Sequence, residues 1–432
     1  MVASIFQGLI AKYFPSLAKK ITEKVNDKSE EIQYEHKKYL KKDFSTDMKW
    51  QSLSTNTNVV AADVVSLDSP LSPKKRGSYG SAEGEVPKLG MLKSLNESML
   101  QALKNLKARG KKESEMVKKL FQDAADGIKG VYERLDIMFL QALSTGVTVI
   151  DDENNTGTGI RIDFGISEKN QFGVKAAWNK ATATPIDDIE NILTNARNAG
   201  HVLKYIWIDK VTYNAFKANE QVKKAFAGFL KTNSDYIFRV TREELQNFIS
   251  EEFGLTIIII DKVVQIEKGG KRVAVEPWQR GNVTFTTSTD LGTLTYGELA
   301  EVDHPVKDVE YSTVDDFILV SLFRTNNPLK ENTSVQALAI PVLDNVDSIF
   351  IMDTNEAEEL DATDDETQGG SGTDANITIW GQSLVKATVI SKYNELVDED
   401  VSADITDADL IDEINELSDE EVELLKDELG IA

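Results

Sequence analysis

The sequence predicts an α+β protein with long extended segments and an acidic C-terminal stretch. Three regions predict this class: a helical periodicity over residues 96–144, alternating short helices and strands over 178–305, and extended runs over 306–354. Hydrophobic residues make up 41% of the chain and charged residues 28%, as in ordinary soluble globular proteins. The length of 432 residues fits two or three domains.

Several classes of chemistry are disfavoured by composition. The chain has no cysteine, which excludes disulfides, thiolate zinc sites and a thiol nucleophile. The three histidines, His36, His201 and His304, are too dispersed to predict a multi-histidine metal centre. No apolar run approaches the roughly 20 residues of a membrane span, and we expect no secretory signal. We therefore predict no cofactor, no metal and no membrane partner.

The net charge of −24 is unevenly distributed. Residues 355–432 hold 24 acidic side chains and 3 lysines, a net charge of −21. Residues 1–145 hold 24 basic and 18 acidic side chains, a net charge of +6. The N-terminal third of the chain is thus mildly basic, and residues 355–432 are strongly acidic. The overall sequence pI of 4.7 does not show this uneven distribution of charge.

Residues 1–50 are predicted to form a basic helical arm, because apolar residues recur there at mostly three-, four- and seven-residue intervals. Four lysines cluster near its end: Lys37, Lys38, Lys41 and Lys42. They are equally compatible with a solvated helix face and with an arm that lies against another subunit or an anionic surface.

Residues 51–95 are predicted to form a long β-hairpin. Val59 to Leu67 favours one strand and Val86 to Leu95 a second strand that pairs back, while two prolines and three glycines between them exclude a helix. The predicted tip is basic, with Lys74, Lys75 and Arg76. A loop of this length is either disordered or ordered by a neighbour.

The periodicity over residues 96–144 predicts a long helix or a helix pair. Gly110 is predicted to interrupt it and Gly146 to end it. The sequence DDENNTGTG at 151–159 predicts a turn between strands, since Thr156 stands where a calcium loop needs glycine.

Residues 178–305 predict a compact α/β unit. A helix follows Pro185, YIWID is a short buried strand, and VTYNAFKANEQVKKAF is a helix. Thr241 and Glu244 have capping-box spacing before another helix, and TIIIIDKVVQIEKGGKRVAVEP predicts a hairpin that turns at Gly269–Gly270. Strands VTFTT and LGTLTYGELAE complete the unit. After the extended residues 306–354, the acidic segment predicts a linker, a hairpin and two short helices.

No catalytic motif stands out. The chain lacks GxSxG, HExxH, a Walker loop and a dinucleotide fingerprint. The acid pairs Asp187–Asp188 and Asp315–Asp316 lie at a predicted helix start and a turn, where they are expected to stabilise local structure. The acidic end is expected to attract cations only as any polyanion does.

The order of these elements resembles the lambda-type major capsid protein family of tailed phages, over roughly residues 1–350. The similar stretches are Trp178 followed by ATATPIDDIENI, then YIWIDKVTYNAF, then VTREELQNFISEEFGLTIIIID, and finally Tyr296, Gly297 and Glu301 in TYGELAE. No single motif among them is decisive, and the likeness lies in their succession.

The resemblance implies the fold of the Hong Kong 97 phage coat protein. It assigns residues 1–50 to an N-terminal arm, 51–95 to an extended loop, 96–180 to a spine helix with peripheral-domain strands, and 181–305 to an axial domain. Residues 306–354 would return to the peripheral domain. Residues 355–432 lie outside the pattern, as an acidic extension.

The implied function is a structural, non-catalytic one. The protein would assemble into hexamers and pentamers of an icosahedral phage head that encloses double-stranded DNA, with scaffolding, portal or decoration proteins as further partners. The loop tip, Lys74, Lys75 and Arg76, would contact an adjacent subunit. The arm lysines, Lys37, Lys38, Lys41 and Lys42, would face DNA, and residues 355–432 would face outward, because packed DNA repels a polyanion.

Three alternatives stay open at the level of sequence. An encapsulin-type shell shares the implied fold, and packaged DNA rather than enzyme cargo would distinguish the two. An acid-based hydrolase needs two carboxylates that converge in a cleft, and no such pair is apparent. A tail-tube or portal subunit is also conceivable, although the former lacks a spine helix and the latter is richer in long helices.

Overall fold

The computed structural model describes residues 16, 34–55, 79–108, 122–150, 160–231, 240–268 and 270–357, and within the acidic end 376–379, 382–385, 389–390, 392–394, 414, 417, 422 and 425–426. The chain divides into two compact units, residues 1–362 and 363–432. In the described parts of both units the α+β class predicted from sequence is confirmed.

The elements of the first unit fall into two sequence groups separated by the turn after residue 254. The earlier elements are α1 Glu35–Tyr39, β1 Leu40–Phe44, β2 Lys49–Thr55, β3 Tyr79–Glu85, β4 Lys88–Leu95, α2 Glu97–Ala108, α3 Gln122–Thr145, β5 Val147–Ile150, β6 Ile160–Asp163, β7 Gln171–Val174, α4 Pro185–Asn198, β8 Tyr205–Asp209, α5 Lys210–Ala218, α6 Glu220–Phe229 and α7 Arg242–Phe253. The later elements are β9 Thr256–Ile260, β10 Val264–Lys268, β11 Lys271–Val275, β12 Asn282–Thr286, β13 Gly292–Gly297, α8 Ala300–Asp303, β14 Glu310–Val314, β15 Ile318–Asn326, β16 Leu329–Leu343 and β17 Ile349–Ala357.

The larger sheet has the order β1-β13-β16-β15-β14, with β4 also paired to β16. Its centre is β16, a 15-residue strand that pairs antiparallel with β4, β13 and β15. Strand β1 adds parallel to β13, so the sheet joins the first and last thirds of the unit. Helix α3 packs on this sheet through a buried face that includes Ile128, Leu135 and Met138.

The second sheet has the order β7-β17-β12-β8-β9. Strand β12 is antiparallel to both neighbours, whereas β8–β9 and β7–β17 are parallel pairs. Helices α4 to α7 supply most of the apolar side chains that cover it, among them Ile189, Phe216, Phe226 and Phe248. This α/β layer forms a core distinct from the one beneath α3.

Several local predictions are confirmed because their signals are strictly local. Helix α3 ends at Thr145, and Gly146 takes φ +76, the left-handed conformation that glycine adopts without a steric penalty. Helix α4 has Pro185 at its first turn. Thr241 and Glu244 form the complete capping box that starts α7.

Other predictions are wrong in detail. The helix predicted over 211–226 is two helices, since Asn219 adopts an extended conformation and its side chain caps α6 through the Gln221 N–H. The predicted hairpin over 256–275 is confined to β10 and β11. The run TIIII pairs parallel with β8 instead, as a continuous apolar run does when it joins a buried sheet.

The N-terminal arm and the extended loop also differ from expectation. The predicted arm helix gives way at Leu40 to strand β1. In the loop, β2 pairs with β3, and the predicted second strand is instead β4, which pairs with β16 of its own subunit. Val59 to Leu67, Gly110 and the 151–159 turn lie outside the described residues.

The two sheets do not follow the predicted boundary at residue 305 between the axial domain and the returning strands. Strand β13 lies within 181–305 but pairs in the larger sheet, and β17 follows the returning strands but pairs in the second sheet. Each unit has its own buried residues; in the second they include Val389, Tyr393, Ile414 and Leu425, and its described strands form the hairpin β18 Asn376–Ile379 and β19 Gln382–Val385.

Candidate assembly surface

The short arm helix α1 is held against α3 by one buried carboxylate. Asp136 accepts hydrogen bonds from the backbone N–H groups of Glu35 and His36, at 3.2 and 3.0 Å. The His36 ring Nδ1 lies 2.6 Å from the same carboxylate, and both side chains are fully buried. Because Tyr34 supplies no side-chain cap at the start of α1, Asp136 performs that role from a helix 100 residues away.

Lys262, which precedes β10, joins the same carboxylate from the opposite side. Its Nζ lies 3.1 Å from Asp136 and 2.9 Å from Glu133, and 4.8 Å above the Tyr34 ring. Burial alone would raise the pKa of Asp136, but His36 and Lys262 outweigh burial and lower it. The carboxylate is therefore ionised, and it ties together the arm, α3 and the segment between β9 and β10. We call His36, Asp136, Glu133 and Lys262 the anchor cluster.

A second group of charges fixes the arm to the turn between β14 and β15. Asp315 accepts hydrogen bonds from Lys37 at 2.8 Å, Lys42 at 2.9 Å and the Tyr132 hydroxyl at 2.7 Å. Asp316 accepts a further one from Lys42 at 2.7 Å. Burial would raise the pKa of Asp315, and the two lysines and the Tyr132 hydroxyl lower it instead.

The four arm lysines that the resemblance assigns to DNA are thus all paired with carboxylates of their own chain. Lys37 and Lys42 bind the Asp315–Asp316 turn, Lys38 pairs with Glu35 at 2.8 Å, and Lys41 pairs with Asp290. Lys41 remains the most exposed, with 74% of its side chain accessible. Their assignment to DNA stays a prediction, and the described pairing reduces the positive charge they present.

Aromatic side chains continue this attachment into the core beneath α3. The Tyr39 ring meets the Trp207 ring edge-on at 4.6 Å and lies 6.4 Å from Phe139 on α3. Trp207 is fully buried on β8, and its indole N–H donates to the Thr286 hydroxyl at 2.8 Å. The arm is therefore an integral layer of the subunit from Tyr34 onward.

The described part of the extended loop is also attached to its own subunit. Trp50 on β2 packs 5.5 Å from Phe164, and Ser52 donates to the Leu343 carbonyl at 2.5 Å. Beyond this attachment, large apolar side chains stay exposed on β4 and at the start of α2, with Leu92 61%, Met91 39% and Met99 50% accessible. The predicted tip, Lys74, Lys75 and Arg76, lies outside the described residues.

One open groove among the described residues bears on the hydrolase alternative. An open groove of about 520 Å³ beside α7 contains a single carboxylate, Glu243, together with Arg242, Gln246, Asn247, Ser250 and Thr256. An acid-based hydrolase would need a second carboxylate facing the first. No group of three or more metal-ligating side chains occurs among the described residues. No helix in the described ranges is long and apolar enough to cross a membrane.

Sequence reasoning missed the anchor cluster entirely. In the sequence His36 is one of three dispersed histidines, and Asp136 is one of several charged residues between the apolar positions of the 96–144 helix. One signal was available: Asp136 is flanked on both sides by residues of the apolar stripe, Leu135 and Met138. An acid in such a position requires a partner from elsewhere in the fold.

Comparison with known proteins gives one extended sequence match. The model of a family described as phage major capsid protein E matches residues 20–354. Among curated proteins none matches the sequence.

Solved structures with a similar arrangement share little sequence. A capsid protein of an Escherichia coli CFT073 prophage is 13% identical, with 71% of this chain and 76% of that chain covered and a TM-score of 0.40. The capsid of cyanophage A-1(L) is 12% identical, with 77% and 96% covered and a TM-score of 0.41. An encapsulin from Synechococcus elongatus is 10% identical, with 74% and 87% covered and a TM-score of 0.35.

Proposed function

The chain belongs to the phage major capsid protein E family, and we propose that it assembles into the hexamers and pentamers of an icosahedral head around double-stranded DNA. The resemblance to phage major capsid proteins drawn from sequence is thereby confirmed. The observation that carries the proposal is the length of the family match, residues 20–354, which spans the arm, α3 and both sheets.

The arrangement of the subunit supports a structural role without chemistry. A shell protein needs rigid elements that present contact surfaces, and we infer that the anchor cluster and the Asp315–Asp316 turn supply rigidity. The exposed apolar side chains on β4 and α2 supply surface that is worth about 25 cal/mol per Å² when covered. Many such weak contacts act together when copies close into a symmetric particle.

The finer assignments are part of the same proposal. Lys74, Lys75 and Arg76 would pair with acidic groups of an adjacent subunit, which would set register more than strength because exposed ion pairs contribute about 0–1 kcal/mol each. The arm would face the DNA and residues 355–432 the outside. Scaffolding, portal and decoration proteins would be further partners, and assembly would take place in the host cytoplasm.

Electron microscopy of the purified protein tests the proposal. Uniform polyhedral particles or hexameric sheets are expected, and a chain that stays monomeric over a wide range of concentration, salt and crowding agent would contradict it. Particle contents then separate the phage head from the encapsulin-type shell. Nucleic acid packaged in particles from infected or induced cells supports the former, and a packaged enzyme supports the latter.

A further inference from the structure

Strands β10 and β11 form a ribbon that belongs to neither large sheet. Within the described residues they pair only with each other, from Val264 opposite Val275 to Lys268 opposite Lys271. A two-stranded ribbon on its own is at best marginally stable in water. Such a ribbon becomes stable when other protein residues pack against one of its faces.

The two faces of the ribbon differ sharply in polarity. Val264 opposes Val275 and Ile266 opposes Val273, so these four side chains share one face, which ends at the turn in the pair Lys268 and Lys271. Gln265, Ala274, Glu267 and Arg272 form the other face by the same register. Alternation this regular specifies the register of a strand pair when the apolar face is buried.

Within the described part of the chain, burial of the apolar face is confined to its root. Val264 is 3% exposed, Ile266 and Val275 are half-buried, and Val273 near the tip is 42% exposed. The apolar face therefore extends beyond the point where the body of the subunit ends.

The root holds the ribbon in a fixed direction. On one side Lys262 binds Glu133 and Asp136 of α3. On the other side Trp278 is buried, and its indole N–H donates to the Asn282 carbonyl at 2.9 Å. A projection fixed at both ends loses little conformational freedom when it docks, which favours binding.

Charge indicates which partner the ribbon suits. Near the turn the ribbon carries Lys268, Lys271 and Arg272 against Glu267, a net charge of +2, whereas the whole chain carries −24. Nearly all of that negative charge lies in residues 355–432, which carry −21, so another copy of the same chain offers this tip an acidic segment of opposite sign. In a protein of a capsid family, other copies are also the most abundant neighbours.

We propose that the apolar face of the β10–β11 ribbon, centred on Ile266 and Val273, docks on a second copy of this chain in the assembled particle. This inference rests on the proposed function and names one surface that performs it. The contact is heterologous, since the ribbon meets a different surface of the next copy, and such contacts close into rings.

Two substitutions on neighbouring positions of β11 test the proposal. Val273→Asp places a charge on the apolar face, and Ala274→Asp places the same charge on the polar face, both at exposed positions of the subunit. Sedimentation should show particle yield reduced at least about tenfold by V273D, because it buries an unpaired charge in the contact, and nearly unchanged by A274D. Equal yields for the two variants, whether high or low, would overturn the proposal.

A cross-linking experiment keeps the test independent of any folding defect. Because the chain contains no cysteine, Val273→Cys and Ala274→Cys each provide a unique position for a benzophenone maleimide. In particles, the label at position 273 should cross-link to a second subunit more efficiently than the label at 274. Cross-links confined to the labelled subunit, or stronger ones from 274, would show that the apolar face does not meet another copy.

The wild-type sample separates failure of this inference from failure of the proposed function. Wild-type particles together with equally abundant V273D particles overturn the ribbon contact alone. A wild-type chain that forms no particles under any condition overturns both.

Discussion

Asp136 is a buried carboxylate whose oxygens have several hydrogen-bonding and charged partners. Two backbone N–H groups, the His36 ring and Lys262 all lie within 3.2 Å of its oxygens. Removing one partner of a buried ionic group costs far more than removing an exposed pair, because the remaining charge stays buried without compensation. An isosteric change at Asp136 is thus expected to cost much more than the same change in an exposed ion pair.

We expect Asp136→Asn to destabilise the first unit by about 3–5 kcal/mol, since Lys262 would remain half-buried with fewer counter-charges and the start of α1 would lose its charged cap. Chemical denaturation followed by tryptophan fluorescence measures the change. Asp290→Asn is a matched control, because it removes the carboxylate of the exposed Lys41 pair and should cost less than about 1 kcal/mol. Similar losses for both variants would contradict this interpretation.

Asp188 is the opposite case, a buried acid with one hydrogen bond. It is 3% exposed, and its only described side-chain partner is the Trp178 indole N–H at 2.8 Å. Burial is the largest influence and raises the pKa of Asp188 from 3.8 to about 6. Between these values the folded protein binds more protons than the unfolded chain, so this group makes stability fall as pH rises from about 4 to 6.

Asp188→Asn should therefore stabilise the second sheet layer at pH 7, by about 1–3 kcal/mol, because the neutral amide avoids the buried charge and its oxygen still accepts from Trp178. Thermal unfolding of wild type and variant at pH 4 and pH 7 measures the difference. The gap between the two proteins should narrow at pH 4, where the wild-type carboxyl is protonated. A gap that stays constant with pH would show that the substitution acts through packing alone.

The residue scale is also where sequence reasoning reached least far. The capping of α7 by Thr241 and Glu244 was predictable because both groups lie within four residues. The pairing of His36 with Asp136 was not, because the tertiary fold brings together side chains 100 positions apart. The arm lysines form a visible cluster in the sequence, yet nothing in the sequence indicates that Asp290, Asp315 and Asp316 pair with them.

At the scale of elements, helix α3 approaches the larger sheet closely at a glycine. A β-carbon added to Gly127 would collide with the side chain of Val335 on the central strand β16. Val335 is 1% exposed and β-branched, so it has almost no freedom to move away. Gly130, one turn later, instead faces the flexible end of Met91, which is 39% exposed.

Gly127→Ala should consequently destabilise the protein by about 1–3 kcal/mol through overpacking, despite the better helix propensity of alanine. Gly130→Ala serves as the matched variant in the same helix. There Met91 can shift, and the propensity gain of about 0.5–1 kcal/mol should leave stability equal or slightly higher. Denaturant titration of both variants decides the matter, and destabilisation by G130A as large as that by G127A would refute the assigned contacts.

Element types followed from sequence where periodicity was long, as in α3, and failed where tertiary pairing selected the partner. Strand β4 has an extended pattern that fits a hairpin and a sheet equally well. In the structure β4 pairs with β16 rather than within a hairpin. This register buries Leu89 and packs Met91 and Lys93 against α3. The run TIIII joined a parallel sheet for the same reason, since it has apolar side chains for both faces.

At the scale of the whole molecule, each core is assembled from distant parts of the chain. The larger sheet takes β1 and β4 from the N-terminal part and β13 to β16 from the later part. At one edge of the second sheet β7 pairs with β17, although Gln171 and its partner Ile351 are far apart in sequence. The chain therefore crosses between the two cores several times. The order of the predicted helices and strands along the sequence was enough to indicate the capsid family. It could not show to which of the two cores each strand contributes.

The acidic end offers a prediction about the complete particle. Residues 363–432 form a compact unit of their own beyond the family match, which ends at residue 354. They hold 20 acidic residues and 3 lysines, a net charge of −17. A chain ending at residue 362 should keep the melting temperature of the first unit and still form particles, because both described cores lie before that point.

Electrophoresis of such particles reports the side on which the acidic end lies. Charges are screened within about 8 Å at physiological ionic strength, so charges enclosed by the shell contribute little to the mobility of the particle. If residues 363–432 face outward, as we propose, removing −17 per subunit should strongly reduce migration of empty particles toward the anode. Unchanged mobility would instead place the acidic end inside, where it would have to share the lumen with DNA despite the repulsion between two polyanions.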